Sequence, residues 1–323
     1  MAAKSAKASL SHEERTVEEP RNEGLHPVIL NKITRVNDRI QLYKLLSKNR
    51  TNIEFLAGQW VDLHVPGVEK AGGFTIASSP RDGIADSHGS REPFVELAVQ
   101  KSPENPAAAW LWQPDDQILG TELKIRIGGS FVWPPKNVDR RSISRVVLIA
   151  GGVGINPLIS MLQDIQQEDS DLSPLEVEFL YSTKLPTNSA SDNEVLFLQR
   201  LLDWARSWNF ESGSRSKGRL DLFFTGTWDG SSLTPETTLT QKFRGPRPPH
   251  THGNSGADVE PRVSAQVGRI DEAALRKSLG DERGRSSSVF YVCGPPDMTD
   301  GIVDWLQQQD GISPAQVMCE KWW

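Results

Sequence analysis

The sequence predicts two folds in series, an all-β barrel or sandwich and then a parallel-sheet α/β domain. Three observations carry this. Between Val28 and Ile127 short apolar runs alternate with turn residues: "ITRVNDRIQLYKLL", "QWVDLHVPG", "GGFTIASSP", "FVELAVQ" and "ELKIRIGG", the spacing of a small antiparallel β domain. From Arg145 onward strand-like runs such as "RVVLIA", "EVEFLYS", "RLDLFFTG" and "SVFYVCG" alternate with helix-period stretches such as "PLISMLQDIQQ", the pattern of a parallel sheet covered by helices. Between them, "FVWPPKNVDRRSIS" is Pro-rich and polar, like an inter-domain connection. A chain of 323 residues, 37% hydrophobic and 24% charged, has material for two cores.

Taken in order, the elements divide the chain into a disordered N-terminal tail over 1–27, the β domain over 28–137 and the α/β domain over 138–323. The tail opens with two lysines among small residues and turns acidic by Glu13. That is poor material for a transit peptide, so cytoplasm is the expected compartment and the mitochondrion the alternative. Residues 230–268 lack periodicity and are rich in Gly, Pro, Ser and Thr, so they read as a disordered insertion. His250 and His252 inside it have no acids or cysteines beside them, and no metal site is expected.

Composition removes several function classes. Lys and Arg number 36 against 42 Asp and Glu, a net charge of −6, so no wide phosphate-tracking surface and no nucleic-acid partner is expected. Two cysteines, Cys293 and Cys319, are too few for a disulfide framework or a Cys₄ cluster and fit a reducing compartment. No apolar run approaches the roughly 20 residues that span a bilayer.

The segment "VLIAGGVGINPLISML" joins a β-branched strand to an amphipathic helix through three glycines in four residues. Gly151, Gly152 and Gly154 present bare backbone, with Val153 and Ile155 between and after them. Asn156 followed by Pro157 reads as N-cap and first helical position. The free N–H groups and positive dipole end of such a helix suit a pyrophosphate; tight strand–helix packing is the other use of glycine here. The next strand ends in "YSTK", where Ser182, Thr183 and Lys184 suit a ribose 2′-phosphate as well as a hydroxyl. A second Asn-Pro start, Asn105–Pro106, follows the strand Phe94–Gln100 and opens a short helix through Ala107. It is either a second pyrophosphate seat or ordinary turn chemistry.

In order along the chain, "GGFTIASSP", "IGGSF", "AGGVGINPLISML", "YVCGPPDM" and the terminal "EKWW" resemble the ferredoxin–NADP reductase superfamily. The resemblance implies a Greek-key barrel for FAD, a following domain for NAD(P)H with NADH slightly favoured, and hydride transfer from nicotinamide C4 to flavin N5. It implies that Phe74 lies beside the isoalloxazine, with Thr75 near N5 and Ile76 adjoining. It further implies that Gly128 and Gly129 form the turn before the domain junction, and that the 151–157 loop holds the nucleotide diphosphate. Cys293, Gly294, Pro295 and Met298 match "CGPxxM" beside the hydride position; a core cysteine is the plainer reading of Cys293. Glu320 is a candidate polar partner of the ring. Trp322 and Trp323 would cover the flavin face, or else pack into the core.

One departure stands out. Where the superfamily has an arginine pairing with the flavin phosphate, this chain has Gly72; such a contact is worth roughly 1.5–3 kcal/mol. Lys101 and Arg126 are the candidate replacements. The expected activity is that of an NAD(P)H-dependent flavin oxidoreductase serving a separate electron acceptor. The alternatives are an NAD(P)-binding protein that has lost flavin and a non-catalytic interaction protein.

Overall fold

The computed structural model describes residues 11–86, 91–168, 175–185, 194–210, 217–226 and 263–321. The first sheet comprises β1 (His26–Asn37), β2 (Ile40–Ser47), β3 (Trp60–His64), β4 (Gly72–Thr75), β5 (Phe94–Gln100) and β6 (Glu122–Gly128). Its order is β4-β3-β6-β1-β2-β5 with antiparallel pairing throughout. A bridge between Ile76 and Leu97 brings the end of β4 back to β5 and closes the sheet into a barrel. The alternating apolar positions that announced these strands, Leu30, Tyr43, Leu45, Val61, Leu63, Leu97 and Ile125, are its fully buried core. Two short helices, α2 (Pro106–Leu111) and α3 (Asp115–Ile118), pack Ala107, Ala108, Leu111 and Ile118 against that core.

The expected tail is not disordered from residue 11 onward. Helix α1 (His12–Arg15) is started by a Ser11–Glu14 capping box. Behind it Asn22 N–H donates to Ile127 C=O and Gly129 N–H to Pro20 C=O. The cause is Asp62 on β3, fully buried on the outer face, which accepts from Arg21 at 2.8 Å and from Arg126 at 2.9 Å. A buried carboxylate needs such partners, and Arg21 lies 41 residues away in sequence, so local composition carried no sign of it.

The second sheet is wholly parallel, as expected: β7 (Arg145–Gly151), β8 (Glu176–Lys184), β9 (Lys217–Thr225), β10 (Val263–Val267), β11 (Ser288–Cys293) and β12 (Val317–Glu320) lie in the order β10-β9-β8-β7-β11-β12. Along β7 the side chains divide between the two faces. Val146 and Leu148 face α4 (Ile155–Gln166) and α5 (Leu198–Phe210), while Val147 and Ile149 face α6 (Glu272–Ser278) and α7 (Pro296–Gln307). Strand β10 corrects the insertion: residues 263–267 pair in register with Leu220–Phe224, a five-residue alternation too short to register against the surrounding Gly and Pro. His250 and His252 lie outside the described residues.

The connection between the domains is packed. Phe131, Val132 and Trp133 are buried, and the Tyr291 hydroxyl donates to Val132 C=O at 2.8 Å. Helix α4 also reaches the barrel, through Asn156 to Ala98 C=O, Ser160 to Ser78 C=O and Gln163 to Ala77 C=O.

Candidate nucleotide cleft

Parallel strands gather their carboxyl ends along one edge, where such sheets bind ligands. Register places Gly151 opposite Ser182 on β8, Ala150 opposite Cys293 on β11, and Cys293 opposite Glu320 on β12. Residues spread over 170 positions of sequence thus share one rim. A cleft of about 600 Å³ opens there, bordered by Gly151 and Gly152, by Ser182–Lys184, by Arg269, and by Pro295 and Met298.

The three glycines of the turn have different tasks. A Cβ on Gly151 would lie 2.7 Å from Pro295 Cδ, and one on Gly154 would run into the carbonyl of Cys293 and lie 2.7 Å from Gly294 Cα. Those two let the "CGPP" turn pack on the glycine turn. Gly152 faces open space at φ +55°, so its backbone is what the cleft sees. Residues Gly152–Gly154 form a 3₁₀ turn running into α4, and neither Gly151 nor Gly154 provides a side-chain cap. Ile155 N–H is taken by Gly152 C=O inside that turn, while no side chain caps the turn that precedes it, a helix start that suits an anion.

Asn156 does not cap the helix. Helix α4 begins at Ile155, and the Asn156 amide donates to Ala98 C=O at 2.9 Å from a site only 5% exposed. Val153 borders the turn half-buried, and Ile155 and Pro157 are buried beneath it. Arg269 was missed by sequence reading because β10 was hidden in aperiodic text. The available sign was Gly268-Arg269-Ile270 just before Asp271, the N-cap of α6. Asp271 accepts from Ala274 N–H and Glu272 from Arg276, so these two carboxylates beside the cleft already have partners.

The barrel's expected flavin residues tell a different story. Asn105 does cap α2, accepting from the N–H groups of Ala107 and Ala108 at 3.1 and 3.2 Å. The donors that a diphosphate would use are taken. Gly72 does not leave an open seat either: a Cβ there would lie 2.6 Å from Ala107 Cβ and 2.7 Å from Phe74 Cε2. Neither substitute cation is placed for the task. Arg126 is held by Asp62 and by Glu13 at 3.2 Å, and Lys101 Nζ lies 5.4 Å from the Trp112 ring. These residues do not fit a flavin diphosphate. Phe74 lies in the barrel core, 9% exposed, and Ile76 is fully buried. Gly128 and Gly129 serve close packing, with Trp60 2.5 and 2.6 Å from where their Cβ atoms would be. Thr75, 6% exposed, precedes the Ala77–Ser78 segment bound by α4, so the end of β4 meets the nucleotide domain. Trp322 and Trp323 lie outside the described residues.

Among the described residues no cluster of three or more His, Cys, Asp or Glu could hold a metal, and no helix is long and apolar enough to cross a membrane.

A closed antiparallel barrel followed by a parallel sheet with an uncapped glycine turn at its carboxyl edge is the fold of ferredoxin-reductase-type proteins. In a solved ferredoxin NADP+ reductase from Neisseria gonorrhoeae with bound FAD and NADP, 93% of this chain overlays 99% of that one with a TM-score of 0.57 at 15% identity. No family model matches the sequence. The oxidoreductase NAD-binding domain-containing protein 1 of Bos taurus is 32% identical over 280 residues, 84% of this chain and 72% of that protein, and the chain belongs to that family. The reductase component of propane 2-monooxygenase from Rhodococcus jostii is 24% identical over 83% of this chain and 55% of its own length. By family the chain is an oxidoreductase of the NAD-binding kind.

Proposed function

We propose that this chain binds NAD(P)H across the carboxyl edge of its second sheet and serves as a reductase for a separate electron acceptor. One observation carries the reading: the only side-chain-free, uncapped stretch of the glycine turn, at Gly152, opens directly onto the cleft. When bound, the nucleotide would supply a hydride from its nicotinamide. The N–H groups at Gly152–Gly154 would hold its diphosphate, Ser182, Lys184 and Arg269 its ribose end, and the rim at Cys293 and Glu320 would border the nicotinamide. Cys293 is 1% exposed at the end of β11, which suits an apolar wall better than a nucleophile.

The family branch favours NADH, whereas two cations beside the cleft are suited to a 2′-phosphate. A propane 2-monooxygenase reductase component among the relatives supports a separate acceptor. The second reading, a nucleotide-binding protein without flavin, is favoured by the contact between Gly72 and Ala107.

Calorimetric titration of the full chain with NADH and NADPH tests the proposal. Binding of at least one at micromolar concentration, lost in a Gly152 variant that keeps its melting temperature, is the expected result. No heat with either nucleotide would overturn it.

A further inference from the structure

A second cavity, of about 260 Å³, lies between the outer face of the barrel and helices α4 and α5, and shares no lining residue with the nucleotide cleft. Strands β1, β2 and β5 bring Lys32, Thr34, Lys44 and Glu96 to it, and the helices bring Gln163 and Arg200.

The strands are arranged so that two cations face each other. In the β1–β2 ladder Leu30 pairs with Leu45 and Lys32 with Lys44, so Asn31 is one residue too many and forms a bulge. Leu30 and Ile33 both pack on the barrel core across that bulge, which sets Lys32 outside and directly opposite Lys44. Like charges directly opposite on neighbouring strands repel. The carboxylate that could relieve them is drawn elsewhere: Glu96 is the register partner of Lys44 on β5, yet it pairs with Arg200 of α5 at 2.6 Å. Asp82, also on the cavity wall, accepts from Ser79 N–H at 3.0 Å. Among the described residues neither lysine has an ion-pair partner, and Lys44 Nζ rests 3.7 Å from the centre of the Phe94 ring.

We propose that this cavity binds a phosphomonoester, its dianionic phosphate between Lys32 and Lys44 with Arg200 beside them, and its organic body against Leu42 and Phe94. A phosphate dianion answers the unmatched charge of the two lysines, which act on it as point charges, and Thr34 adds a hydroxyl. The cavity has less than half the volume of the nucleotide cleft, which suits a small ester rather than a dinucleotide. Its walls come from both domains, so the ligand would also tie the barrel to α5. The site is independent of the proposed reductase activity.

The melting temperature of the full chain, in a buffer free of phosphate and sulfate at pH 8, where the ester is a dianion, reads this binding directly. Phenyl phosphate should raise it, with a dissociation constant at least about threefold below that of inorganic phosphate because its ring is buried as well. Lys32→Glu turns the like-charge pair into an opposite one, so it should raise the melting temperature of the anion-free chain and weaken phenyl phosphate by at least about tenfold. Lys32→Gln, which removes the charge alone, should weaken it similarly. Gly152→Ala should keep the shift, which separates this cavity from the nucleotide cleft. The proposal is overturned if phenyl phosphate gives no shift, if the shift survives both Lys32 variants, or if it disappears in Gly152→Ala. Inorganic phosphate binding as tightly as phenyl phosphate would overturn the ester, and succinate giving an equal shift would overturn the phosphate. Lys32→Glu melting below the wild type without anion would show that Lys32 serves the fold instead.

Discussion

Asn156, two residues past the glycine turn, donates its side-chain amide to the carbonyl of Ala98 at the end of β5, 2.9 Å away and 58 residues earlier in the chain. The bond ties the first turn of α4, and with it the nucleotide cleft, to the barrel. Replacing Asn156 by Ala leaves Ala98 C=O buried and unpaired, a loss of about 1–3 kcal/mol. Asn156→Asp should cost more, because a carboxylate cannot donate and is itself costly to bury. Urea unfolding midpoints that rank wild type above Ala above Asp would bear this out; equal midpoints would show that the bond contributes nothing net.

The glycines of the turn should separate under substitution. At Gly152 a methyl meets no neighbour, and only the left-handed backbone disfavours it, by about 1–2 kcal/mol. Gly152→Ala should therefore fold and lose at least tenfold in nucleotide affinity by obstructing the approach of a diphosphate. Gly154→Ala meets the Cys293 carbonyl and should lose stability first. Thermal melts alongside calorimetry distinguish the two; the idea fails if Gly152→Ala binds normally.

Lys184 ends β8 and Arg269 follows β10, strands two positions apart in the sheet, and both border the same cleft. The double replacement by Ala should weaken NADPH by at least tenfold and NADH by less than about threefold if the pair meets the 2′-phosphate, as a lost charge-assisted contact of roughly 1.5–3 kcal/mol would require. Equal weakening of both nucleotides would place the cations on the shared diphosphate instead.

The N-terminal segment should respond to acid. His12 sits edge-on to Trp60 with ring centroids 4.6 Å apart, and burial holds its pKa down at about 4, against the opposing pull of Asp62. A base whose folded pKa lies below the free value of 6.5 stabilises the docked form fully above pH 6.5 and loses that contribution as pH falls toward 4. Between pH 7 and pH 5 the docking of residues 11–21 should weaken by about 2 kcal/mol. Amide exchange in that segment should accelerate accordingly, and His12→Phe, which keeps a ring against Trp60, should abolish the response. Exchange independent of pH after correction for intrinsic rates would refute this.

Apart from β10, the strands of both sheets and the glycine turn were legible because each depends on neighbours within ten residues: alternation for a half-buried strand, a 3.6-residue period for α4, bare backbone between them. The convergence of Ser182, Gly152 and Cys293 on one edge was expected from the parallel α/β pattern and the superfamily resemblance; strand order came only from the structure, and Arg269 escaped because β10 spans five residues.

By itself the sequence determined the two-domain class, the strand-to-helix glycine turn and the absence of an arginine at Gly72. Only the tertiary structure decided that Asn156 bridges domains while Asn105 caps its own helix. It alone decided that residues 11–27 are drawn onto the barrel by the buried Asp62, and that the space beside Gly72 is filled by Ala107. The physical reason is common to all three. Whether a polar group is satisfied by its own segment or by a distant one, and whether a glycine opens a cavity or admits a neighbour, depends on what packs against it from elsewhere in the chain.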